Sequence, residues 1–368
     1  MTTTAKAPSP LPRPRLARTV GEVTPEWLGA FLSLRHPGTV VERIAIGDRS
    51  DGTAVRLSLT IDYAPGRDNG LPARMFLKST LVSMVAPLSM YRCEVEFYQT
   101  MRPEFTIETP QVYGCELDTE TGHFVLVMED LQARDAFMGV ATTPYTPDQA
   151  AAVIGTMADL HANYWNTPRV NDDFAWLETH LSGGNVDYFR RNGPEKFWKE
   201  YGTCPYKARI IDPTDPEWAP ARLWSALWKV QEIDAAEVPT VLHGDTHVGN
   251  TYVTPAGEGG LLDWQLMRFG CWAHDVTYHI VSALTVEDRR AHEADLLRGY
   301  LNAMTGRGIA MPDWDRAWLL HRQNVVWGTC MWLRTPTALY DEERLSILLE
   351  RSRAAMEDLE TMAAIAGS

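Results

Sequence analysis

The stretch VLHGDTHVGNTYV (residues 241–253), followed by GGLLDWQLMRFG (residues 259–270), sets polar side chains between apolar runs that predict strands. Asp245 and Asn250 lie five residues apart in one loop, and Asp263 ends the next apolar run thirteen residues later. Carboxylate and amide oxygens are hard ligands that suit Mg²⁺, which takes one or two protein ligands and completes its shell with water and phosphate oxygens. The remaining carboxylate is then free to accept a proton from an attacking hydroxyl.

A loop of this kind meets the needs of phosphoryl transfer, in which positioning and charge neutralisation supply most of the catalysis. The alternative interpretation is a turn capped by Asx side chains and followed by a strand. That alternative is the better one for an isolated aspartate and asparagine. The accompanying histidines, glycines and the downstream LLDW (residues 261–264) favour the catalytic interpretation.

The composition is that of an ordinary globular protein and disfavours two classes of partner. Of 368 residues, 45% are hydrophobic and 22% charged, and the net charge of −14 argues against a general nucleic-acid binder, which would present a basic surface. The five cysteines are widely spaced and include no CxxC pair, a pattern typical of reduced thiols in the cytosol. No apolar segment approaches the roughly 18 residues of a membrane span, and none follows the basic N-terminus as in a signal peptide. We therefore expect a cytoplasmic protein without nucleic-acid or membrane partners.

The secondary-structure pattern predicts two lobes of different class. Residues 1–20 predict a flexible tail, residues 21–131 a β-rich lobe and residues 132–368 a mainly helical lobe. Apolar and polar residues alternate in AVRLSLTIDY (54–63), and further strands are predicted in ARMFLKST (73–80), TPQVYGCEL (109–117) and HFVLVMEDL (123–131). Helices are predicted after the Thr24-Pro25 and Thr146-Pro147 caps and from Tyr91 through Met101. The predicted fold class is α+β.

The two motifs carry a family resemblance. HGDTHVGN (243–250) followed by LLDWQ (261–265) resembles the catalytic loop and metal-binding strand of the aminoglycoside phosphotransferase and choline kinase superfamily. Within it, the chain is most similar to ecdysteroid-kinase-like and related bacterial small-molecule kinases, over roughly residues 21 to 340. The resemblance implies a bilobal protein-kinase-like fold. An antiparallel β-sheet lobe with a helix would precede a larger, mainly α-helical lobe that binds the acceptor.

The resemblance also assigns roles within the loop. It implies that Asp245 is the catalytic base and that Asn250 and Asp263 hold Mg²⁺ in an ATP-dependent phosphotransferase. His243 would pack beneath the loop and fix its shape, and His247 would support the loop or line the acceptor site. Asp275 would steady the loop through hydrogen bonds, with a plain helix N-cap as the alternative.

A lysine on the predicted β-lobe suits the phosphates of the nucleotide. Lys78 ends the apolar run MFLK, where alone it would predict a solvated strand end. Glu94 follows sixteen residues later on the predicted helix, and the spacing resembles the lysine–glutamate ion pair that orients ATP in the superfamily. Glu96 is the alternative partner on a different helix face.

The remaining nucleotide contacts are predicted from two further segments. A phosphate-covering turn is expected before the second strand, with four small or flexible residues: Gly47, Ser50, Gly52 and Thr53. An ordinary hairpin turn has the same composition. Backbone groups from Met128 through Glu129 to Leu131 are expected to hold the adenine, with a core strand ending in an acidic linker as the alternative.

The acceptor is predicted only by class. The helical lobe contains most of the thirteen tryptophans, and aromatic walls in an acidic lobe suit an aminoglycoside, an amino sugar, a choline-like amine or a steroid-like alcohol. A catalytically inactive kinase-like protein that binds a nucleotide or another ligand is the alternative. A protein kinase is disfavoured, because the chain has no GxGxxG, DFG or APE segment.

Overall fold

The computed structural model describes residues 14–81 and 86–367, without the side chains of Asn192, Pro194 and Trp198. The first thirteen residues of the predicted tail therefore lie outside the described residues. The rest of that tail packs on the protein, since Ala17 is 1% exposed and Arg15 accepts a 2.9 Å hydrogen bond from the Trp27 indole.

The chain forms two compact units. The first contains residues 1–86 and 111–130, and the second contains residues 87–110 and 131–368. The sequence predicts a single boundary near Leu131, whereas residues 87–110 pack with the second unit. The reason lies in long-range contacts: Phe97 stacks on Trp264 at 3.7 Å between ring centroids, and the Trp264 indole donates to Thr109 Oγ1 at 3.0 Å.

The first unit is an antiparallel sheet with one helix. Helix α1 (Pro25–Leu32) precedes strands β1 (Val41–Asp51), β2 (Val55–Tyr63), β3 (Arg74–Ser79), β4 (Val112–Leu117) and β5 (Phe124–Glu129). The strand order is β1-β2-β3-β5-β4. The predicted alternation in β2 is confirmed, because Val55, Leu57, Leu59 and Ile61 are all buried in the core of the unit. The predicted cap of α1 is also confirmed, as Thr24 accepts from Trp27 N at 3.2 Å.

The second unit is mainly helical. Its helices are α2 (Leu88–Glu96), α3 (Pro147–Asn163), α4 (Gly184–Phe197), α5 (Pro205–Ile210), α6 (Pro220–Ala235), α7 (Ala273–Ala283), α8 (Val286–Gly306), α9 (Trp314–Arg334), α10 (Glu342–Asp358) and α11 (Thr361–Ala366). The predicted helix that ends at Met101 is α2 continued by a π-helical turn, Phe97–Met101. Helix α3 begins with a capping box between Thr146 and Gln149. The predicted α+β fold class is thus confirmed.

Two small sheets in the second unit frame a loop. Their strands are β6 (Phe137–Met138), β7 (Glu178–Thr179), β8 (Thr240–Leu242), β9 (Thr251–Val253), β10 (Gly259–Leu261) and β11 (Arg268–Gly270). One sheet has the order β10-β9-β6 and the other β7-β11-β8. Helix α7 is buried along its whole length beside them. Among the described residues, no helix combines the length and apolar character that a membrane span requires.

Candidate active site

Residues 243–250 form the loop between β8 and β9. Because β8 pairs with β11 and β9 pairs with β10, the two small sheets fix both ends of this loop. Gly244 makes the sharp turn with φ +82°, and a Cβ at this position would lie 1.9 Å from the carbonyl oxygen of Leu266. Only glycine fits such a turn, because it lacks the Cβ and adopts positive φ readily.

Asp275, near the start of α7, is hydrogen-bonded to the backbone of the turn at Gly244. The backbone N–H groups of His243 and Gly244 donate to its two carboxylate oxygens at 2.7 and 2.9 Å, and Thr246 Oγ1 donates to its carbonyl oxygen at 2.6 Å. His161 Nε2 lies 3.3 Å from Asp275 Oδ2. The N-cap of α7 is Trp272, so the plain N-cap interpretation of Asp275 is wrong. Its carboxylate binds the loop, as the resemblance implies.

Three further α7 side chains hydrogen-bond the loop backbone. His274 Nε2 donates to Gly244 O at 3.2 Å, and His279 Nδ1 donates to Thr246 O at 3.1 Å. Ser282 Oγ accepts from Val248 N at 3.1 Å. Burial lowers the pKa of His274 to about 3 and that of His279 to about 4, so both imidazoles are neutral donors at neutral pH.

His243 joins the loop to the strand that precedes Asp263. It is fully buried; its Nε2 donates to Leu262 O at 2.9 Å, and its Nδ1 accepts from Asp245 N at 3.3 Å. The Leu262 N–H donates in turn to Asn250 O at 3.0 Å. His243 therefore fixes the shape of the loop, in agreement with the role expected from the sequence.

Asp245 and Asn250 lie together in the loop, and the charge of Asp263 acts on Asp245, while the roles predicted for the three residues stay predictions. Asn250 Nδ2 donates to Asp245 Oδ2 at 2.9 Å and to Asp245 O at 3.0 Å, which orients its amide. Burial, followed by the negative charge of Asp263, raises the pKa of Asp245 to about 7. Asp263 adopts a left-handed conformation with φ 67° directly before Trp264.

This donor set fits a hard divalent cation. The negative charges of Asp245 and Asp263 repel each other, which a cation would relieve. The Asn250 amide nitrogen donates a hydrogen bond to Asp245, so the amide oxygen of Asn250 is left as a ligand for the metal. Oxygen-only ligands of this number and charge suit Mg²⁺ with water or phosphate in the other positions.

His247 lies beside Asp245 within an aromatic cluster. Its Nε2 is 3.8 Å from Asp245 Oδ2, and its Nδ1 accepts from Gly249 N at 3.0 Å. The rings of Trp332, Tyr278 and Tyr340 surround it, with centroids 5.1, 5.9 and 6.4 Å away. His247 therefore joins the Asp245 carboxylate to an aromatic cluster.

The first unit contains most of the predicted nucleotide residues. Lys78 is 4% exposed in the central strand β3, opposite Leu126 on β5. Met128 is buried on β5, and the Glu129 carboxylate accepts from Gln111 N at 2.8 Å.

The predicted phosphate-covering turn is shorter than expected. Gly47 and Ser50 lie within β1, and only Gly52 and Thr53 belong to the turn between β1 and β2. Ser50 pairs with Arg56 across this hairpin. Strand pairing extends further toward the turn than the small and polar residues suggested.

Two predicted nucleotide residues belong to the second unit. Glu94 on α2 is 1% exposed, whereas Glu96 is half-buried and pairs with Arg92 at 3.3 Å. Leu131 begins a short 3₁₀ turn, Leu131–Arg134. Because Lys78 and Glu94 belong to different units, their ion pair stays a prediction.

Several residues of the site were not found from the sequence. His274, His279 and Ser282 act through backbone groups far away in the chain, which no local motif records. Their signal is the presence of polar residues, five and then three positions apart, in α7, a helix that is wholly buried. Arg268 is buried as well, and its charge opposes the rise in the pKa of Asp245.

Solved structures of small-molecule kinases resemble this chain. Spectinomycin phosphotransferase APH(9)-Ia, in complex with ADP and spectinomycin, matches with a TM-score of 0.54 at 10% identity over 91% of this chain and 98% of that one. The chain therefore shares its fold. The macrolide 2′-phosphotransferase MphH from Brachybacterium faecium gives a TM-score of 0.47 at 16% identity over 84% and 90% of the two chains. A choline/ethanolamine kinase family protein from Mesorhizobium loti gives 0.47 at 13% identity over 88% and 93%.

The sequence itself matches a family profile. No curated protein sequence matches the chain. The profile of the phosphotransferase enzyme family, APH, matches residues 72–318, which is more than half of the 368 residues and includes the whole loop built around Asp245. The chain is a member of the phosphotransferase enzyme family.

Proposed function

We propose that the protein is an ATP- and Mg²⁺-dependent phosphotransferase that moves the γ-phosphoryl group to a hydroxyl of a small molecule. The observation that carries the proposal is the placement of Asp245 and Asn250 on a loop whose backbone is held by α7, with the charge of Asp263 acting on Asp245. Phosphoryl transfer depends chiefly on positioning and electrostatic stabilisation, and both need a rigid loop. Membership of the phosphotransferase family supports the same reaction class.

Asp245 takes the role of the base in this proposal. Its carboxylate accepts the proton of the acceptor hydroxyl while the hydroxyl oxygen forms its bond to the γ-phosphorus. The Asn250 amide fixes one carboxylate oxygen at 2.9 Å, so the proton-accepting atom has a defined position. Asn250 and Asp263 would hold Mg²⁺, which supplies neutralisation of the phosphate charge.

The nucleotide contacts remain those predicted from the sequence. Lys78 would hold the phosphates, braced by Glu94, and the turn around Gly52 would cover them. Backbone groups from Met128 to Leu131 would hold the adenine. The ADP bound to spectinomycin phosphotransferase, which shares the fold, supports nucleotide use by this chain.

The aromatic cluster around His247 is the place where we propose that the acceptor binds. Trp332, Tyr278 and Tyr340 surround His247, which lies beside Asp245, and this suits an alcohol with an apolar part. The described cysteines are all free, and we place the enzyme in the cytoplasm.

The test separates nucleotide binding from catalysis. Calorimetric titration of ATP with and without Mg²⁺ into the wild type should show Mg²⁺-dependent binding that Asp263→Ala loses. Asp245→Asn should keep that binding and lose about 10²- to 10⁴-fold in turnover, the range expected for a general base. Glu258→Ala, in the exposed turn between β9 and β10, is the matched control and should change neither quantity.

Each outcome has a defined meaning. ATP affinity that is equal with and without Mg²⁺, or unchanged in Asp263→Ala, would place the metal elsewhere. Mg²⁺-dependent binding without turnover of any alcohol would favour the inactive, ligand-binding alternative.

A further inference from the structure

Arg334, the last residue of α9, is a buried cation whose guanidinium is incompletely hydrogen-bonded. It is 5% exposed, and its Nε is buried with no hydrogen-bond partner among the described residues. Its guanidinium carbon lies 4.2 Å from the centroid of the Phe189 ring, which compensates only part of the lost hydration. Burial lowers the pKa of Arg334 to about 10, so the side chain stays charged at neutral pH.

Arg351 is another buried arginine, and its guanidinium is hydrogen-bonded to the backbone. It is 6% exposed, but its Nη1 donates to Ser282 O at 2.7 Å and its Nη2 to Ala141 O at 2.8 Å. An unpaired buried charge destabilises a fold strongly, and guanidinium does not escape the cost by losing its proton. Residues kept in such a state are candidates for ligand binding, because an anionic group would supply the missing partner.

The surroundings of Arg334 are aromatic and contain a second cation. Phe189 stands edge-on to Trp327 at 6.4 Å between centroids, and the Arg268 guanidinium lies 4.7 Å from the Trp327 ring. Phe189, Trp327 and Arg268 line a narrow pocket with Trp224, Trp228 and Met331. None of the described residues that line it is acidic. This surface disfavours an amine and suits an apolar group that carries a negative charge.

Helix α9 links this region to the catalytic loop. The Trp327 ring is 4.6 Å from the ring of His274, which donates to Gly244 O, and the Trp332 ring is 5.1 Å from that of His247. Arg268, whose guanidinium contacts the Trp327 ring, acts electrostatically on Asp245. The aromatic side chains around Arg334 are therefore joined to the catalytic loop by ring contacts along α9.

We propose that Arg334 binds an anionic group of the phosphoryl acceptor, so that the acceptor is an apolar alcohol bearing a carboxylate. The inference rests on the proposed function. In the reaction, the acceptor oxygen forms the new bond to the γ-phosphorus while the bond to the β–γ bridging oxygen breaks. The hydroxyl proton passes to Asp245, and ADP leaves. The carboxylate takes no part in bond changes and supplies recognition.

Three alcohols that differ in one substituent test the proposal. They are 4-(hydroxymethyl)benzoate, 4-(hydroxymethyl)benzylamine and 1,4-benzenedimethanol, each titrated into the full chain without nucleotide. We expect the benzoate to bind about 10- to 100-fold more tightly than the other two, the range for a charge-assisted hydrogen-bonded pair. Arg334→Gln should abolish that preference, and Arg334→Lys should retain part of it. Equal binding, no binding of the benzoate, or a preference for the amine overturns the proposal.

Thermal unfolding supplies a second readout that does not depend on the choice of probe. Without ligand, Arg334→Met should raise the melting temperature, because it removes an unpaired buried charge. Arg351→Met, the matched control, should lower it, because two carbonyl oxygens lose their donors. If Arg334→Met lowers the melting temperature as much as Arg351→Met does, Arg334 is structural and the proposal fails.

Turnover with MgATP distinguishes this inference from the function on which it rests. Phosphorylation of the benzoate in preference to the other alcohols supports both. Binding of the benzoate through Arg334 with phosphorylation only of the amine or the diol overturns its assignment as acceptor and leaves the phosphotransferase in place. If no alcohol is phosphorylated, both the assignment of the benzoate as acceptor and the proposed phosphotransferase function are overturned. This holds even if the benzoate still binds through Arg334.

Discussion

Replacement of Asp275 by asparagine is the sharpest test of how the catalytic loop is held. Burial would raise the pKa of this carboxyl, but the hydrogen bond from His161 and the electrostatic interaction with the same ring outweigh it. The result is a pKa lowered from 3.8 to about 2. The ionised form of the Asp275 carboxyl is thus more favoured in the folded state than in the unfolded chain.

The expected loss of stability follows from that difference. The lowered folded-state pKa means that the ionised carboxylate contributes to the free energy of unfolding at pH 7, on the order of 2 kcal/mol. Asparagine also directs its NH₂ group at one of two N–H donors, His243 N or Gly244 N, and leaves that donor unsatisfied at an added cost of about 1–3 kcal/mol. We therefore expect Asp275→Asn to lower the free energy of unfolding by roughly 3–5 kcal/mol.

The dependence on pH has a defined sign. Because the folded-state pKa of Asp275 is lower than the unfolded one, its ionic contribution is fully present above about pH 4. It is lost as the pH falls through about 2. Denaturant unfolding of wild type and Asp275→Asn at pH 7, 5 and 3 measures this difference, which should shrink at the lowest pH.

The control and the refuting result are equally specific. Asp315→Asn removes an exposed carboxylate at the start of α9 and should stay within about 0.5 kcal/mol of the wild type. Amide hydrogen exchange at His243 and Gly244 should accelerate in Asp275→Asn and not in the control. A loss in Asp275→Asn below about 0.5 kcal/mol, or unchanged exchange at both amides, would mean that the loop is held by other contacts.

Further substitutions test the loop itself. Gly244→Ala and Gly257→Ala both place a side chain at positive φ, +82° and +85°, but only the former meets backbone, 1.9 Å from Leu266 O. Gly257→Ala should cost about 1 kcal/mol and Gly244→Ala several times more in denaturant unfolding; equal losses would contradict the steric argument. Ser282→Ala leaves Val248 N without its acceptor and should cost about 1–3 kcal/mol and lower turnover. Unchanged stability and turnover in this variant would remove Ser282 from the loop support.

The sequence predicts those parts of the protein whose determinants are local. The caps of α1 and α3 depend on Thr24 and Thr146 and their next neighbours, and both form as predicted. Asp245 and Asn250 share one loop, so their proximity follows from their spacing. The left-handed backbone of Asp263 does not, because an aspartate rarely adopts positive φ without support from packing.

Features that depend on contacts between distant segments were not predicted. Helix α2 joins the second unit through the stacking of Phe97 on Trp264, a contact across more than 160 residues that no local pattern encodes. Arg334 was not singled out for a similar reason. An arginine at a helix C-terminus is ordinarily solvated and favourable there, and only the packed structure shows that Arg334 is buried.

The way in which α7 supports the loop has a consequence for protein engineering. His274, His279 and Ser282 bind peptide groups of the loop, not its side chains. A library that varies His247 to change the acceptor range should therefore keep the backbone geometry, since every residue has a backbone carbonyl oxygen and every residue except proline has a backbone N–H. A library of the same size in α7 should yield mostly inactive clones, even though none of these helix residues would touch an acceptor.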